Sequence, residues 1–477
     1  MEARDAADLE RFFDNQVNRS TLGLMYGRRR IGKSTLLVNQ TRERRGFYFE
    51  ATRVETSIQL ERLGRALGEF LSVGSLALAT WEEAVTALLR LGSEQATPVV
   101  LDEFGYILEG DRSVESILSS AFGPGAQRAQ SSRTRLMLCG SAIAMMRALT
   151  DGEVPLRGRS GVEIVARPDD FRVAATRLPD RSGLELAPWV FAVIGGVVGY
   201  ATDMVDFDLP TSLADFDNWI SRRVLSPAAT LHREATTLLA EDPTVSGPGA
   251  LLHHSVLGAI ANGSVTAGEI AKKAGKQVSN LNPALKRLID AGFVVRHEDP
   301  IRAQRPLYAL NDSFLQFHYA VLDPFGSELR DRVPSTVWES RLKGVFGARV
   351  RGPVFEEQAR SWVRRFASDE TLPVRDHVGP SYASVDGVER EVDVVVAAGD
   401  VEPGRRKIMA IGEAKAGELV AAGHLRRLER VRATFGVRAD GAKLMLFGSS
   451  FDSRLRKDCE KRADVEIVDL ERLYYGD

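Results

Sequence analysis

Apolar residues along this chain follow two spacings, and the alternation between them lays out the first stretch of the molecule. Short unbroken runs, Leu22-Gly23-Leu24-Met25-Tyr26, Gly46-Phe47-Tyr48-Phe49-Glu50, Pro98-Val99-Val100-Leu101-Asp102-Glu103 and Arg135-Leu136-Met137-Leu138-Cys139-Gly140-Ser141, read as buried strands. Between them the period lengthens. Leu9, Phe12 and Phe13 share one face of a polar helix over residues 2 to 19, and residues 57 to 71 are amphipathic. Strands alternating with helices predict an α/β fold whose parallel sheet is covered by helices.

Residues 185 to 245 are helical in pattern, with a Gly195-Gly196 turn after Ile194 and a second helix over 216 to 224. Residues 241 to 250, Glu-Asp-Pro-Thr-Val-Ser-Gly-Pro-Gly-Ala, are rich in breakers and read as a linker. Three helices follow, over 252–261, 266–274 and 279–292. Thr266 and Glu269 form a capping box on the second, and 293–296 with 307–310 make a two-stranded wing. This looks like a winged helix-turn-helix. Lys272, Lys273, Lys276, Lys286 and Arg287 suit it to phosphates, and Ser279, Asn280 and Asn282 sit where a recognition helix reads bases. A solvated basic face on an internal hinge or protein contact is the competing reading. In the last part a helix over 354–359, strands over 391–396 and 408–415, a basic helix, and strands over 442–447 and 465–470 make a smaller α/β unit.

The length of 477 residues exceeds one core, and a prior of roughly 150 residues per domain gives about three. The pattern divides as 1–184, 185–245, 246–312, 313–349 and 350–477. A net charge of −2 confines any nucleic-acid surface to a local patch. Cys139 and Cys459 make no disulfide framework or metal spacing, no histidine has ligand spacing, and His318 reads as a packed aromatic neighbour. The opening is charged and no window nears the roughly 20 apolar residues of a membrane span, so a cytoplasmic protein without membrane contact is expected.

Chemistry enters at Gly27-Arg28-Arg29-Arg30-Ile31-Gly32-Lys33-Ser34-Thr35, a P-loop between an apolar strand and a helix. Glycine lets the backbone N–H groups curl round phosphates, Lys33 faces the β- and γ-phosphates, and Ser34 is a Mg²⁺ ligand. Asp102 and Glu103 end an apolar strand as a Walker B element does: Asp102 for the Mg²⁺ shell, Glu103 for the attacking water. Ser141 closes the next strand, as a γ-phosphate sensor or as an ordinary turn.

These stretches, with Leu101-Asp102-Glu103-Phe104, Leu138-Cys139-Gly140-Ser141, Pro155-Leu156-Arg157-Gly158-Arg159 and Gly195-Gly196-Val197-Val198-Gly199-Tyr200, resemble the archaeal-type P-loop ATPases, relatives of the AAA+ and STAND classes. The resemblance covers roughly the first 240 residues. It implies ATP as the nucleotide and a helical lid over 185–245, and it makes Arg159 either a γ-phosphate sensor or a surface arginine. Arg157 stands where the family has an aromatic residue and Val198 where it has proline.

In the last unit Asp393 lies on one strand, with Glu413 and Lys415 on the next at i and i+2, so an antiparallel pair brings all three to one edge. With Glu356 on the preceding helix, Glu357 as its fallback, and a helix carrying His424, Arg426, Arg427, Arg430 and Arg432, the arrangement resembles the PD-(D/E)XK nuclease core. That implies Mg²⁺ on Asp393 and Glu413 and a water or phosphate polarised by Lys415. The expectation is an ATP-hydrolysing protein acting on DNA through its winged helix and a nuclease-like domain, open to homo-oligomers in which a neighbour supplies an arginine finger. An ATP-gated switch with a catalytically silent C-terminal fold, or a plain DNA-binding regulator, are the alternatives.

Overall fold

The computed structural model describes residues 3–152, 154–180, 182–240 and 242–477. Glu2 of the predicted opening helix and Glu241 of the predicted linker lie outside the described residues. β1 (Thr21–Tyr26), β2 (Phe47–Glu50), β3 (Thr97–Asp102), β4 (Thr134–Gly140) and β5 (Ser160–Val165) form a sheet in the order β2-β3-β4-β1-β5, parallel at every pairing. Every residue of β3 and β4 is buried, so unbroken apolar runs marked them in the sequence. β5 is an edge strand whose exposed and half-buried residues outnumber its buried ones, and it left no such run. Because the strands are parallel, β1, β3 and β4 deliver Gly27, Glu103 and Ser141 to one end of the sheet.

Helix Ala3–Phe13 presses Leu9, Phe12 and Phe13 into the core. The helical segment contains Ala187–Ile194, Leu213–Ile220 and Thr230–Ala240. The expected linker differs: it carries a helical turn, Pro243–Ser246, with Val245 buried and its carbonyl 2.8 Å from Nδ1 of buried His253. A stretch that buries a valine is packed structure, whatever its content of breakers.

Three helices follow, Ala250–Ala261, Ala267–Lys273 and Val278–Asp290, then a hairpin of β6 (Val294–His297) and β7 (Leu307–Leu310). The capping box forms: the Glu269 N–H donates to Thr266 Oγ1 at 3.3 Å, and the Thr266 N–H donates to Glu269 Oε2 at 3.0 Å. The hairpin tip is docked. Ile301 is buried in the core of the last unit, Ser381 Oγ donates to Asp299 at 2.7 Å, and Arg302 and Arg305 meet Glu389 at 2.6 and 2.7 Å.

The last unit is a second sheet of β8 (His377–Val385), β9 (Val388–Ala398), β10 (Lys407–Val420), β11 (Lys443–Phe451) and β12 (Val465–Val468), in the order β12-β11-β10-β9-β8. β8, β9 and β10 are antiparallel, while β10, β11 and β12 are parallel, with helix Ala422–Thr434 bridging β10 to β11. Helix Gly352–Arg365 packs on β10. β8 escaped the sequence reading because it buries Ser381 against Asp299 where an apolar run would continue. One buried apolar cluster runs from Leu9 through Trp219, Leu281 and Trp338 to Val350, joining the first sheet, the helical segment, the winged helix and the following helices. Among the described residues no helix is long and apolar enough to cross a membrane.

Candidate functional site

Two constellations form, one at each sheet. At the first, Arg30 (φ 63) and Gly32 (φ 92) turn the loop through left-handed conformations before helix Lys33–Glu43, so glycine at 32 carries no Cβ penalty. Ile31 anchors the loop in the core, and Ser34 and Thr35 are exposed on the first helical turn. Lys33 is buried, and Nζ donates to the carbonyls of Gly27 and Arg28, 2.7 Å each. Burial lowers its pKa, opposed by Cys139, Glu103 and Asp102.

Asp102 accepts from Tyr48 Oη at 2.7 Å and from the Glu103 N–H at 2.8 Å. Burial opposes its charge, yet hydrogen bonds from Ser34, Cys139, Tyr48 and that N–H hold the carboxyl below its ordinary value. Glu103 is left-handed at φ 50, a strained conformation for this residue, and accepts from Ser141 Oγ at 2.9 Å with Arg29 4.0 Å away. The structure therefore gathers Lys33, Ser34, Asp102, Glu103 and Ser141. Arg159 is the exception: it precedes Ser160, which pairs with Leu22 at the start of β1, whereas the P-loop leaves β1 at its far end. Of the two readings of Arg159, the surface arginine is the one this geometry favours within the chain, because parallel strands place it and the P-loop at opposite ends of the sheet.

Two loop arginines reach far along the chain. Buried Arg28 pairs with buried Asp312, which also caps helix Ser313–Phe317 by accepting from the Leu315 N–H at 2.7 Å. Arg30 pairs with Glu234 of helix Thr230–Ala240, 2.8 Å apart. Glu234 carries no local sequence signal, and Asp312 shows in the sequence only as a helix cap. Tyr48 was also missed, although the alternation Phe47-Tyr48-Phe49-Glu50 beside β3 is the pattern that finds it.

At the second sheet the register pairs Gly412 with Val394, which sets Glu413 beside Asp393. Lys415 Nζ lies 3.2 Å from Glu413 Oε1 and 3.7 Å from Asp393 Oδ2, and the Ala414 N–H donates to that oxygen at 2.8 Å. Arg427, from helix Ala422–Thr434, donates to Glu413 Oε1 at 3.1 Å, while Glu413 Oε2 is buried without a partner. Glu356 faces this group: burial and Asp393 push its carboxyl up, opposed by Arg360, with Glu391 adding and Lys415 opposing. Its neighbour Glu357 is held elsewhere, paired with Arg360 and Arg364. Among the described residues no three His, Cys, Asp or Glu side chains cluster closely enough to hold a metal. Glu356 and Glu391 line a cleft of about 950 Å³ shared by the wing, the Gly195-Gly196 turn and helix Gly352–Arg365.

A model of the MarR family matches residues 248–300. An uncharacterised protein of Methanocaldococcus jannaschii is 23% identical over 359 residues, covering 74% of this chain and 74% of its own. Similar solved structures include the Walker-type ATPase of Pyrococcus abyssi (TM-score 0.48, 19% identity, 67% of this chain and 95% of that one). The ORC2 protein of Aeropyrum pernix, solved in ADPNP–ADP complexes, is another (TM-score 0.38, 14% identity, 72% of this chain and 95% of that one).

Proposed function

We propose that this chain binds and hydrolyses ATP and acts on DNA, with residues 1–184 as the ATPase core, 185–245 as its lid, 246–312 as a winged helix, 313–349 as a connector and 350–477 as a PD-(D/E)XK nuclease-like domain. The observation that carries the ATPase reading is the convergence of buried Lys33 with Asp102, Glu103 and Ser141 at the sheet end where a glycine-turned loop opens a helix. Lys33 would exchange its two carbonyls for phosphate oxygens, a charge-assisted partner for a neutral one. Ser34 and Asp102 would hold Mg²⁺; the acidic, ionised Asp102 fits it. Glu103, released by Ser141 or Arg29, would accept the proton of the attacking water as the β–γ P–O bond breaks.

At the second site Asp393 and Glu413 would hold Mg²⁺, and the unpartnered Oε2 of Glu413 is the atom that fits it. Bound there, the ion would supply a more acidic water and charge neutralisation on the phosphodiester. Lys415 would orient that water, and Glu356, which burial and Asp393 keep largely protonated near neutrality, would give a proton to the leaving oxygen. The winged helix offers exposed Lys272, Lys273 and Lys276 to DNA phosphates. A second reading, an ATP-gated switch with a silent C-terminal fold, draws on Glu413 Oε1 being engaged by both Lys415 and Arg427. An assay on supercoiled, linear and branched DNA with Mg²⁺ or Mn²⁺, with and without ATP, decides between them. Cutting that vanishes in Glu413→Ala supports the nuclease; no cutting on any substrate, with an ATP-dependent change in size, supports the switch.

A further inference from the structure

We propose that Arg351 is a DNA-backbone contact of the C-terminal site, seated between Trp189 of the lid and Gly417 of β10; this rests on reading Asp393, Glu413 and Lys415 as a phosphodiester site. Arg351 ends a wide helical turn, Gly347–Arg351, directly before the helix that carries Glu356. Its guanidinium carbon stands 4.0 Å from the centroid of the Trp189 ring, in helix Ala187–Ile194. Its other side lies on Gly417: a Cβ there would fall 1.8 Å from Nη2 and 2.6 Å from Cζ, so this position admits only glycine while the arginine stays.

The charge balance points outward. Arg351 Nε is buried without a hydrogen-bond partner, and burial alone lowers the guanidinium's pKa, with no acid opposing it. Other arginines of this region are answered: Arg360 and Arg364 by Glu357, Arg365 by Asp170, Arg427 by Glu413. A half-buried cation held by stacking and left without an anion is destabilising on its own, and a phosphate from outside removes that cost. At ~3.3 Å per residue, Gly417 lies about 7 Å along β10 from Lys415. A backbone whose reacting phosphate meets Lys415 therefore presents a neighbouring phosphate to Arg351. Because the stacking ring belongs to helix Ala187–Ile194, the ATPase half positions the residue that makes the DNA contact.

The test uses the full chain with Ca²⁺ replacing Mg²⁺ to prevent cutting, titrated with a short fluorescein-labelled DNA duplex at several salt concentrations and read by anisotropy. Arg351→Ala weakens binding about tenfold and reduces the slope of log K against log salt by about 1. Arg351→Lys restores most of the slope. Gly417→Val, which occupies the guanidinium's place, repeats the loss with the arginine still present. Unchanged affinity and slope in Arg351→Ala overturn the proposal even where the melting temperature falls, leaving the arginine a packing residue on Trp189. A wild-type chain that does not bind the duplex overturns it too. A chain that binds through Arg351 and never cuts with Mg²⁺ or Mn²⁺ keeps this inference and discards the nuclease reading.

Discussion

Lys33 makes two hydrogen bonds to neutral carbonyls inside its own loop, and every nucleotide that binds has to take them over. Lys33→Ala is expected to weaken ATP by about a hundredfold or more in calorimetry, since a charge-assisted contact to phosphate is lost; retained affinity would sink the assignment. Tyr48→Phe removes a donor from Asp102, and turnover is expected to fall about fivefold, the worth of roughly 1 kcal/mol, with ATP affinity nearly kept. These two residues differ in how far the sequence reveals them. The P-loop carries its geometry in contiguous residues, so Gly27 to Ser34 could be read directly. Tyr48 matters only because β2 lies against β3, a pairing of strands far apart in the chain. Arg159 stayed open between two readings for the related reason that local sequence shows a basic loop, while only the direction of β5 shows which end of the sheet it occupies.

At the scale of elements, the winged helix was visible in its cap and hairpin, but the use of its tip was not. Ile301 lies in the core of the last sheet, Arg406 donates to the Pro300 carbonyl at 3.1 Å, and Arg305 stacks 4.5 Å from the Tyr382 ring. A tip held this way is not free to reach a partner, while Lys272 and Lys273 at the end of helix Ala267–Lys273 and Lys276 in the turn after it stay exposed. Glu389→Arg sets like charge against Arg302 and Arg305 and is expected to speed trypsin cleavage after Arg302 several-fold; an unchanged rate would show that Ile301 and Asp299 hold the tip alone. The strands of the second site were partly legible because Asp393, Glu413 and Lys415 obey period two, whereas β8 hides behind a buried serine.

Across the whole molecule, the apolar cluster from Leu9 to Val350 is shared by the first sheet, helical segment and winged helix, which are therefore expected to unfold as one unit. His318, inside this region, is held neutral: burial lowers its pKa to about 4. Its folded value lies below the unfolded value of about 6.5, so the unfolded chain binds the proton first and stability falls as pH drops from there toward 4. This site alone is expected to cost about 2 kcal/mol at pH 5, and His318→Gln to flatten the change in urea midpoint between pH 7 and pH 5. The pairs Arg28–Asp312 and Arg30–Glu234 bind the P-loop to elements beyond its own sheet. They tie the loop to helix Thr230–Ala240 and to the stretch that follows the wing. By thermodynamic reciprocity, whatever factor ATP imposes on DNA affinity, DNA imposes on ATP affinity. Arg28→Ala is expected to shrink both factors equally in paired titrations, since one tether serves both directions.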